Sequence, residues 1–334
     1  GHFSLDAGVA VCGPGSERTI SDLAEKRLVV PVKGSDGSAR FRLLETVRSY
    51  AAARLEEAAG LGEARRAHLT WYSAEADRLE DGLRACRSLS LIEGAALDMD
   101  EFEAALRYAI ELPDFLPVAA GMCRALVELF SLRGMMTRLG RVLGAIGDRE
   151  RELGQGKALA DYEFALGHVF LMTCRTAEAI ETLDRAAELY LGCGETLLAG
   201  YALAHAGVGS GVWGEGDWSR RRAEAALGIF REQGSAHGLA DAFLAKVQFQ
   251  IGPGQDLAEA EAALEEGLPY AIESGSLALQ ARYWLWSSQV AEARHDWSAE
   301  LQCLDRCDRL GAALDDPSML GESDRKSTRL NSSH

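Results

Sequence analysis

Thr173-Cys-Arg-Thr-Ala-Glu-Ala-Ile-Glu-Thr-Leu-Asp-Arg-Ala-Ala-Glu-Leu-Tyr190 carries the clearest structural signal in this chain. A short turn around Cys174 precedes an apolar pattern at helical spacing: Ala179, Leu183 four residues on, and Ala186 seven residues on. A small residue at the first of these positions lets two helices approach closely, and the leucine beside it fills the seam between them. The pattern therefore predicts the second helix of a helical hairpin.

The same turn recurs at a nearly constant interval. It reads Gly134-Met-Met, Cys174-Arg-Thr, Gly216-Asp-Trp, Gln255-Asp-Leu and His295-Asp-Trp, with spacings of 40, 42, 39 and 40 residues. One apolar helix lies ahead of each turn and another behind it. Because a single hairpin cannot bury both of its faces, the units must stack, and we expect a right-handed superhelix with a concave groove.

Two details refine the repeat. Ahead of the second turn, Leu166-Gly167 with Phe170 has the spacing that allows one helix of a hairpin to pack closely against the other. In the third unit, Arg221 stands where the small residue should be. We therefore expect the second helix of that unit to be shifted in register.

The segment ahead of the repeats is patterned differently. Residues 3–12 suit a short helix, and Ser16 to Leu28 reads as an amphipathic helix. Two apolar strands, 28–33 and 39–44, then flank an Asp-Gly turn and predict a β-hairpin, the only strand signal in the chain. Helix, helix and hairpin in this order are typical of the trailing part of a winged helix.

Helices are expected from Thr46 onward. Thr46 can cap a helix that runs to Gly60. A second helix is expected over residues 62–83 and a third over 99–110, ended by Pro113.

The charge and the cysteines exclude several classes of protein. With a formal net charge of −16, and with Arg220–Arg222 flanked by acidic residues, direct contact with nucleic acid is not expected. The seven cysteines are scattered without a CxxC, so we expect buried thiols and neither a disulfide framework nor a metal site. No signal peptide and no apolar run near the ~20 residues of a membrane span were recognised, which indicates a cytoplasmic protein.

No pattern in the sequence indicates catalysis. None of the seven histidines lies in an HExxH-like or nucleophile-elbow motif, and no GxxxxGK[ST] loop is present to bind phosphates. Trp218 and Trp297 each follow an aspartate in an inter-helix turn, and we interpret them as packing residues. We therefore predict that the chain is not an enzyme and needs no cofactor.

Several motifs together resemble a known family. The repeat unit resembles the tetratricopeptide repeat in its longer bacterial form. Phe41-Arg-Leu-Leu-Glu-Thr-Val-Arg-Ser-Tyr50-Ala is similar to the segment that closes the winged helix of bacterial STAND ATPases with an NB-ARC-like core, among them LuxR-type and SARP-type transcriptional regulators. Asp22-Leu-Ala-Glu-Lys-Arg-Leu-Val-Val30 and Asp100-Glu-Phe-Glu-Ala-Ala-Leu-Arg-Tyr108 fit the same architecture. In that family an ATPase module precedes the winged helix, and a DNA-binding domain lies at one end.

The resemblance implies an all-α chain: a tetratricopeptide-like α-solenoid preceded by a partial winged helix with one β-hairpin. We assign residues 1–50 to the partial winged helix, without its leading helix, 51–112 to a helical linker region, and 113–314 to the repeats. Residues 315–334 are expected to be a disordered tail. Within it, residues 324–334 resemble the translation of a widely used sequencing adapter, the alternative being a natural terminus. We expect that both ends of the chain are cut.

Three hypotheses for function follow. In the first, the groove binds a peptide, a protein or a small effector and thereby shifts the state of an upstream ATPase module. Its expected contacts are the residues that repeat phase places on the inner face: His168, Ser210, Trp213, Phe249, Arg282 and Gln289. In the second, the repeats are a scaffold for protein association without signalling. The third, an enzyme, has no motif behind it.

Overall fold

A computed structural model describes residues 2–34, 38–85, 89–212, 216–248 and 257–314. Over these ranges the chain is almost entirely helical and has a helical-repeat arrangement, with one small antiparallel sheet near its start. The predicted all-α class with a repeated helical hairpin is therefore confirmed. The proposed tail at 315–334 lies outside the described residues.

The N-terminal unit combines two helices with a three-stranded sheet. Its elements are β1 (His2–Ser4), α1 (Leu5–Cys12), α2 (Ser16–Glu25), β2 (Val29–Lys33) and β3 (Ala39–Leu43). The sheet order is β1-β3-β2, and the predicted hairpin is formed with Val29 opposite Leu43. Arg40 of β3 is buried and pairs with Asp98, which fixes the sheet to the helices that follow.

The strand β1 corrects the predicted helix over residues 3–12. Phe3 lies opposite Phe41 in the sheet, and the two ring centroids are 5.8 Å apart. The hydroxyl of Ser4 accepts a hydrogen bond from the amide of Ala7 at 3.1 Å, so α1 begins only at Leu5. A cap and a cross-strand aromatic pair therefore take the first residues out of the helix.

Four helices connect this unit to the repeats: α3 (Glu45–Glu57), α4 (Leu61–Ala85), α5 (Leu89–Leu97) and α6 (Met99–Glu111). The predicted cap at Thr46 is wrong, because the cap position lies two residues earlier, at Leu44, where no side chain accepts a hydrogen bond. The short helix α5 was not predicted. Among the described residues α3 buries no side chain, whereas α4 contacts α1, α6 and the first repeat helix.

Five hairpins follow at the predicted interval. They are α7 (Leu116–Leu132) with α8 (Met136–Gly147), α9 (Lys157–Met172) with α10 (Thr176–Gly192), α11 (Thr196–Val212) with α12 (Gly216–Gln233), α13 (Ala236–Gln248) with α14 (Leu257–Glu273), and α15 (Leu277–Ala293) with α16 (Trp297–Leu314). The first helices contact one another from hairpin to hairpin, as α7 does α9 and α11 does α13. They form a continuous inner layer.

Three of the predicted turns have the same backbone conformation. Gly134, Cys174 and His295 have φ angles of 65°, 60° and 60°, in the left-handed region. The amide of the next residue donates back to the helix end in each case, for example from Arg175 to the carbonyl of Phe170 at 2.9 Å. The turn at Gln255 lies outside the described residues.

The third unit is shifted in register, as its sequence predicts. Ser219 and Ala223 are buried there, 40 residues after Ala179 and Leu183. The hydroxyl of Ser219 donates to the carbonyl of Gly207 at 2.6 Å, across the seam between the helices. Arg221 is exposed.

Gly267 on α14 packs closely against α13 and α15, so a substitution there tests the contact between the last two hairpins described. A Cβ atom there would lie 2.7 Å from Cβ of Phe243 and 2.7 Å from Cζ of the buried Tyr283. Gly267→Ala is expected to lower the free energy of unfolding by about 1–3 kcal/mol, since helix α14 must move away. Gly228→Ala, with nothing within 4 Å, is the matched control and should stabilise by about 0.5–1 kcal/mol. Urea unfolding measures both, and equal effects would contradict this packing.

One expectation about apolar segments needs correction. Pro113–Leu132, 20 residues, is long and apolar enough to cross a membrane by length and composition. It carries Arg124 and Glu128, and 61% of its apolar window is buried inside the protein. It therefore packs as a core helix of the array.

The cysteines follow the prediction only in part. Cys123 and Cys307 are buried, as expected of apolar thiols. Cys12, Cys174 and Cys193 are exposed, and Cys174 lies at a left-handed turn between two helices.

Candidate functional site

The first helices of the hairpins enclose a cavity of about 480 Å³. Its lining comes from α4, α7, α9, α11, α13 and α15 with the cap residue of α15, and among the described residues none of the second helices contributes to it. Because the second helices occupy the outer layer, the polar side chains of the first helices converge on the inner face. This volume lies in the range of small-molecule sites.

Two histidines and an aromatic ring form one wall. The ring of His168 lies 5.0 Å from that of His205 between centroids, and Phe164 meets His205 edge-on at 5.7 Å. Nδ1 of His168 is buried and has no hydrogen-bond partner among the described residues. Burial, and then the neighbouring His205, lowers the pKa of His168 to about 3, so its imidazole is neutral near pH 7.

Asp241 and Arg282 form an ion pair beside these rings. Oδ1 of Asp241 lies 3.0 Å from Nη1 of Arg282, and its Oδ2 lies 3.6 Å from Nε2 of His205. Burial is the largest influence and acts to raise the pKa of Asp241, but Arg282, His205 and His237 together outweigh it and the pKa is lowered. Burial is also the main cause that lowers the pKa of His205. The pair is ionised and the histidine neutral.

Tyr201 connects a third histidine with a guanidinium. The hydroxyl of Tyr201 lies 3.1 Å from Nδ1 of His237, whose pKa is lowered chiefly by burial. The guanidinium of Arg84 lies over the Tyr201 ring, 4.7 Å from its centroid, in cation–π geometry. Arg84 also donates to Oε1 of Glu80 at 2.6 Å.

A buried ionic network joins the helices behind the cavity. Arg124 on α7 pairs with Glu80 of α4, and its Nε lies 2.9 Å from Oδ1 of Asp161 on α9. Tyr190 on α10 donates to the same oxygen at 2.8 Å, and Lys157 lies 2.9 Å from the other. Burial opposes the charge on Arg124, but Glu80 and Asp161 outweigh it and raise the pKa of the guanidinium.

The predicted contact residues are placed only in part. His168 and Arg282 line the cavity. Gln289 is half-buried on α15 but is not among the cavity residues. Trp213 and Phe249 lie outside the described residues, and so does the side chain of Ser210, whose backbone belongs to α11.

Several cavity residues were missed by the sequence reasoning: Arg84, Tyr201, His205, His237 and Asp241. His205 follows His168 by about one hairpin, and Asp241 follows His205 by about one more. The repeat phase could therefore have placed both residues on the inner face. Arg84 precedes the array, so no repeat phase could have placed it.

The turn tryptophans correct another expectation. Trp218 is 55% exposed and Trp297 is 44% exposed, so neither is a buried packing residue. Each contacts a neighbour on its own helix or turn: the guanidinium of Arg222 lies 5.5 Å from the centroid of the Trp218 ring, and the ring of His295 lies 5.7 Å from that of Trp297.

A second, shallower cavity of about 460 Å³ lies between α1, α4 and α6. Arg65, Arg107 and Tyr108 contribute to its lining, and Arg65 lies over the Tyr108 ring at 5.7 Å. Over the described ranges, no group of three or more His, Cys, Asp or Glu residues is placed to hold a metal ion.

Comparison with known proteins identifies no family. No protein-family model and no curated protein matches the chain. Among solved structures, the chain is similar to the crystal structure of BtubC (BKLC) from P. vanneervenii, with a TM-score of 0.49 and 16% sequence identity. That match covers 67% of this chain and 91% of the other.

Proposed function

We propose that this chain is a non-catalytic regulatory segment that binds a ligand in the cavity on its first helices. The observation that carries the proposal is the lining of that cavity: polar side chains from six helices converge on a volume of about 480 Å³. Among them is His168, whose buried Nδ1 has no hydrogen-bond partner among the described residues. An unsatisfied buried polar atom costs free energy, which a bound polar group would recover.

We further propose that the chain belongs with the bacterial STAND ATPases of the LuxR-type or SARP-type regulators. The helix-helix-hairpin order of the N-terminal unit supports a partial winged helix, and the helical hairpins near 40 residues support tetratricopeptide-like repeats. In this view the natural ligand is a peptide, a protein segment or a small effector. The chain itself contacts neither DNA nor membrane.

The position of the cavity suggests how binding would act on the rest of the protein. Arg84 on α4 lies ahead of the repeats, whereas Arg282 on α15 belongs to the last hairpin. A ligand that contacts both favours arrangements in which α4 and α15 are held together. Its differential affinity for two arrangements would shift their populations, which is what a regulatory segment requires.

A ligand screen with a blocked cavity tests the proposal. Met172 lines the cavity and is 50% exposed, so Met172→Trp should fill the cavity mouth at little cost in stability. Leu191, also 50% exposed but not among the cavity residues, gives the matched control Leu191→Trp. Thermal unfolding with a library of peptides and metabolites of all charges is expected to yield ligands that stabilise the chain and its control, but not Met172→Trp.

Ligands that stabilise all three proteins equally would contradict the proposal, and so would a library without any ligand. The exposed Trp218 and Trp297 favour the alternative function, a scaffold for protein association. Light scattering on the whole chain separates the two, because a stable oligomer without ligand supports the scaffold.

A further inference from the structure

We propose that the cavity selects a small organic carboxylate with an apolar body, held by the guanidinium groups of Arg84 and Arg282. This inference rests on the proposed function, since it names the ligand class of the same site. Two arginine side chains of the cavity retain hydrogen-bond donors that are not engaged within the described residues.

Both arginines are only half engaged. Arg84 uses Nη2 for Glu80, and Arg282 uses Nη1 for Asp241. Their other nitrogen atoms have no hydrogen-bond partner among the described residues, and the two side chains are 23% and 33% exposed. A guanidinium offers five donors in a planar fork that matches a carboxylate, so each retains an edge for an anion.

The acidic groups of the cavity are less available for a cation. Both oxygens of Glu80 already accept from Arg124, and one of them also accepts from Arg84. Asp241 is buried, with Oδ1 on Arg282 and Oδ2 facing His205. Glu128, the third acidic residue of the lining, is half-buried and also has an interaction partner. The unengaged guanidinium nitrogen atoms of Arg84 and Arg282 are donors, and a ligand that supplies acceptors fits them better than one that supplies donors.

The remaining lining indicates the rest of the ligand. Leu83, Val127, Leu171, Val208 and Leu279 contribute apolar surface to the same cavity. Small-molecule sites combine such surface with a few polar groups that fix orientation. Free phosphate, which has no apolar part, would leave this surface without contact.

Three probes of one shape but different charge test the inference: benzoate, benzamide and benzylammonium. Benzoate in about tenfold excess over its dissociation constant should raise the unfolding temperature of the whole chain by about 2 °C. Benzamide should bind more weakly, and benzylammonium should give no saturable shift. Inorganic phosphate should bind more weakly than benzoate, because it leaves the apolar lining uncovered.

Arg84→Gln is the decisive variant, since Glu80 keeps Arg124 as a partner when Arg84 is removed. Loss of one charge-assisted hydrogen bond should weaken benzoate about tenfold. Arg78→Gln is the matched control: it lies on the same helix, paired with Glu75 and stacked over Trp71, and should leave benzoate binding unchanged. Should Arg84→Gln fail to fold, Arg84→Lys keeps the charge without the fork and should also bind benzoate more weakly.

Tighter binding of benzylammonium than of benzoate would overturn the inference, as would equal benzoate affinity in Arg84→Gln and Arg78→Gln or no saturable benzoate binding at all. These outcomes would leave the ligand cavity standing if the library ligands are still lost in Met172→Trp. Failure of that screen would instead remove the proposed function itself.

Discussion

Replacing Arg124 with methionine is expected to lower the free energy of unfolding by about 3–5 kcal/mol, because it removes the buried guanidinium that two carboxylates share. Arg124 is 6% exposed, and Asp161, which its Nε contacts, is 3% exposed. Glu80 would keep Arg84, and Asp161 would keep Lys157, but both would lose the central guanidinium. The network joins α4 to the first two hairpins, so its loss should also reduce unfolding cooperativity.

Arg175→Met is the matched control for this prediction. Arg175 pairs with Glu178 at 2.8 Å, and both side chains are about half exposed. An exposed pair contributes little, so the control should change the free energy of unfolding by no more than about 0.5 kcal/mol. Urea unfolding followed by circular dichroism measures both variants. A loss below about 1 kcal/mol for Arg124→Met would show that the buried network is not formed.

Mild acid is expected to destabilise the chain through its cavity histidines. A histidine whose pKa is lowered by folding binds a proton more readily when unfolded, so its stabilising contribution is present above the unfolded pKa of about 6.5 and is lost as the pH falls. For His168, with a folded pKa of about 3, the loss extends from pH 6.5 to pH 3 at about 1 kcal/mol per pH unit. His205 and His237 act in the same direction.

His168→Gln isolates this contribution, because glutamine is polar but does not titrate. Between pH 6.5 and 4.5 the variant should lose about 2 kcal/mol less stability than the wild type. The exposed His295 provides the control His295→Gln, which should follow the wild-type pH profile. Urea unfolding at several pH values gives the comparison, and parallel profiles for wild type and His168→Gln would contradict a neutral, buried His168.

Much of the architecture could be predicted because the same pattern of packing residues occurs several times in the sequence. The spacing of Ala179 and Leu183 recurs as Leu139 and Leu143 and as Ala260 and Leu264, all buried, and a helical hairpin forms even where Arg221 interrupts the pattern. Single local features were less reliable. Ser4 caps α1 inside residues 3–12, for which the sequence predicts a continuous helix. Thr46 does not cap α3, although threonine is a common capping residue.

The site was less accessible to sequence reasoning because it is assembled from distant segments. Repeat phase placed His168 and Arg282 on the inner face, and both line the cavity. Arg84 could not be found in this way, since α4 lies outside the repeat and meets the cavity only through tertiary packing. The sequence also does not reveal that Arg282 pairs with Asp241. This ion pair determines which nitrogen atoms of the Arg282 guanidinium remain available for a ligand.

Hydrogen–deuterium exchange of the whole chain, with and without a ligand obtained from the screen, tests most directly whether the inner layer is the binding surface. Protection confined to the first helices α7, α9, α11, α13 and α15 together with α4 is the expected result, because these helices line the cavity. Protection on the second helices α8, α10, α12, α14 and α16, with none on α4 and α15, would contradict a ligand held between the two ends of the array.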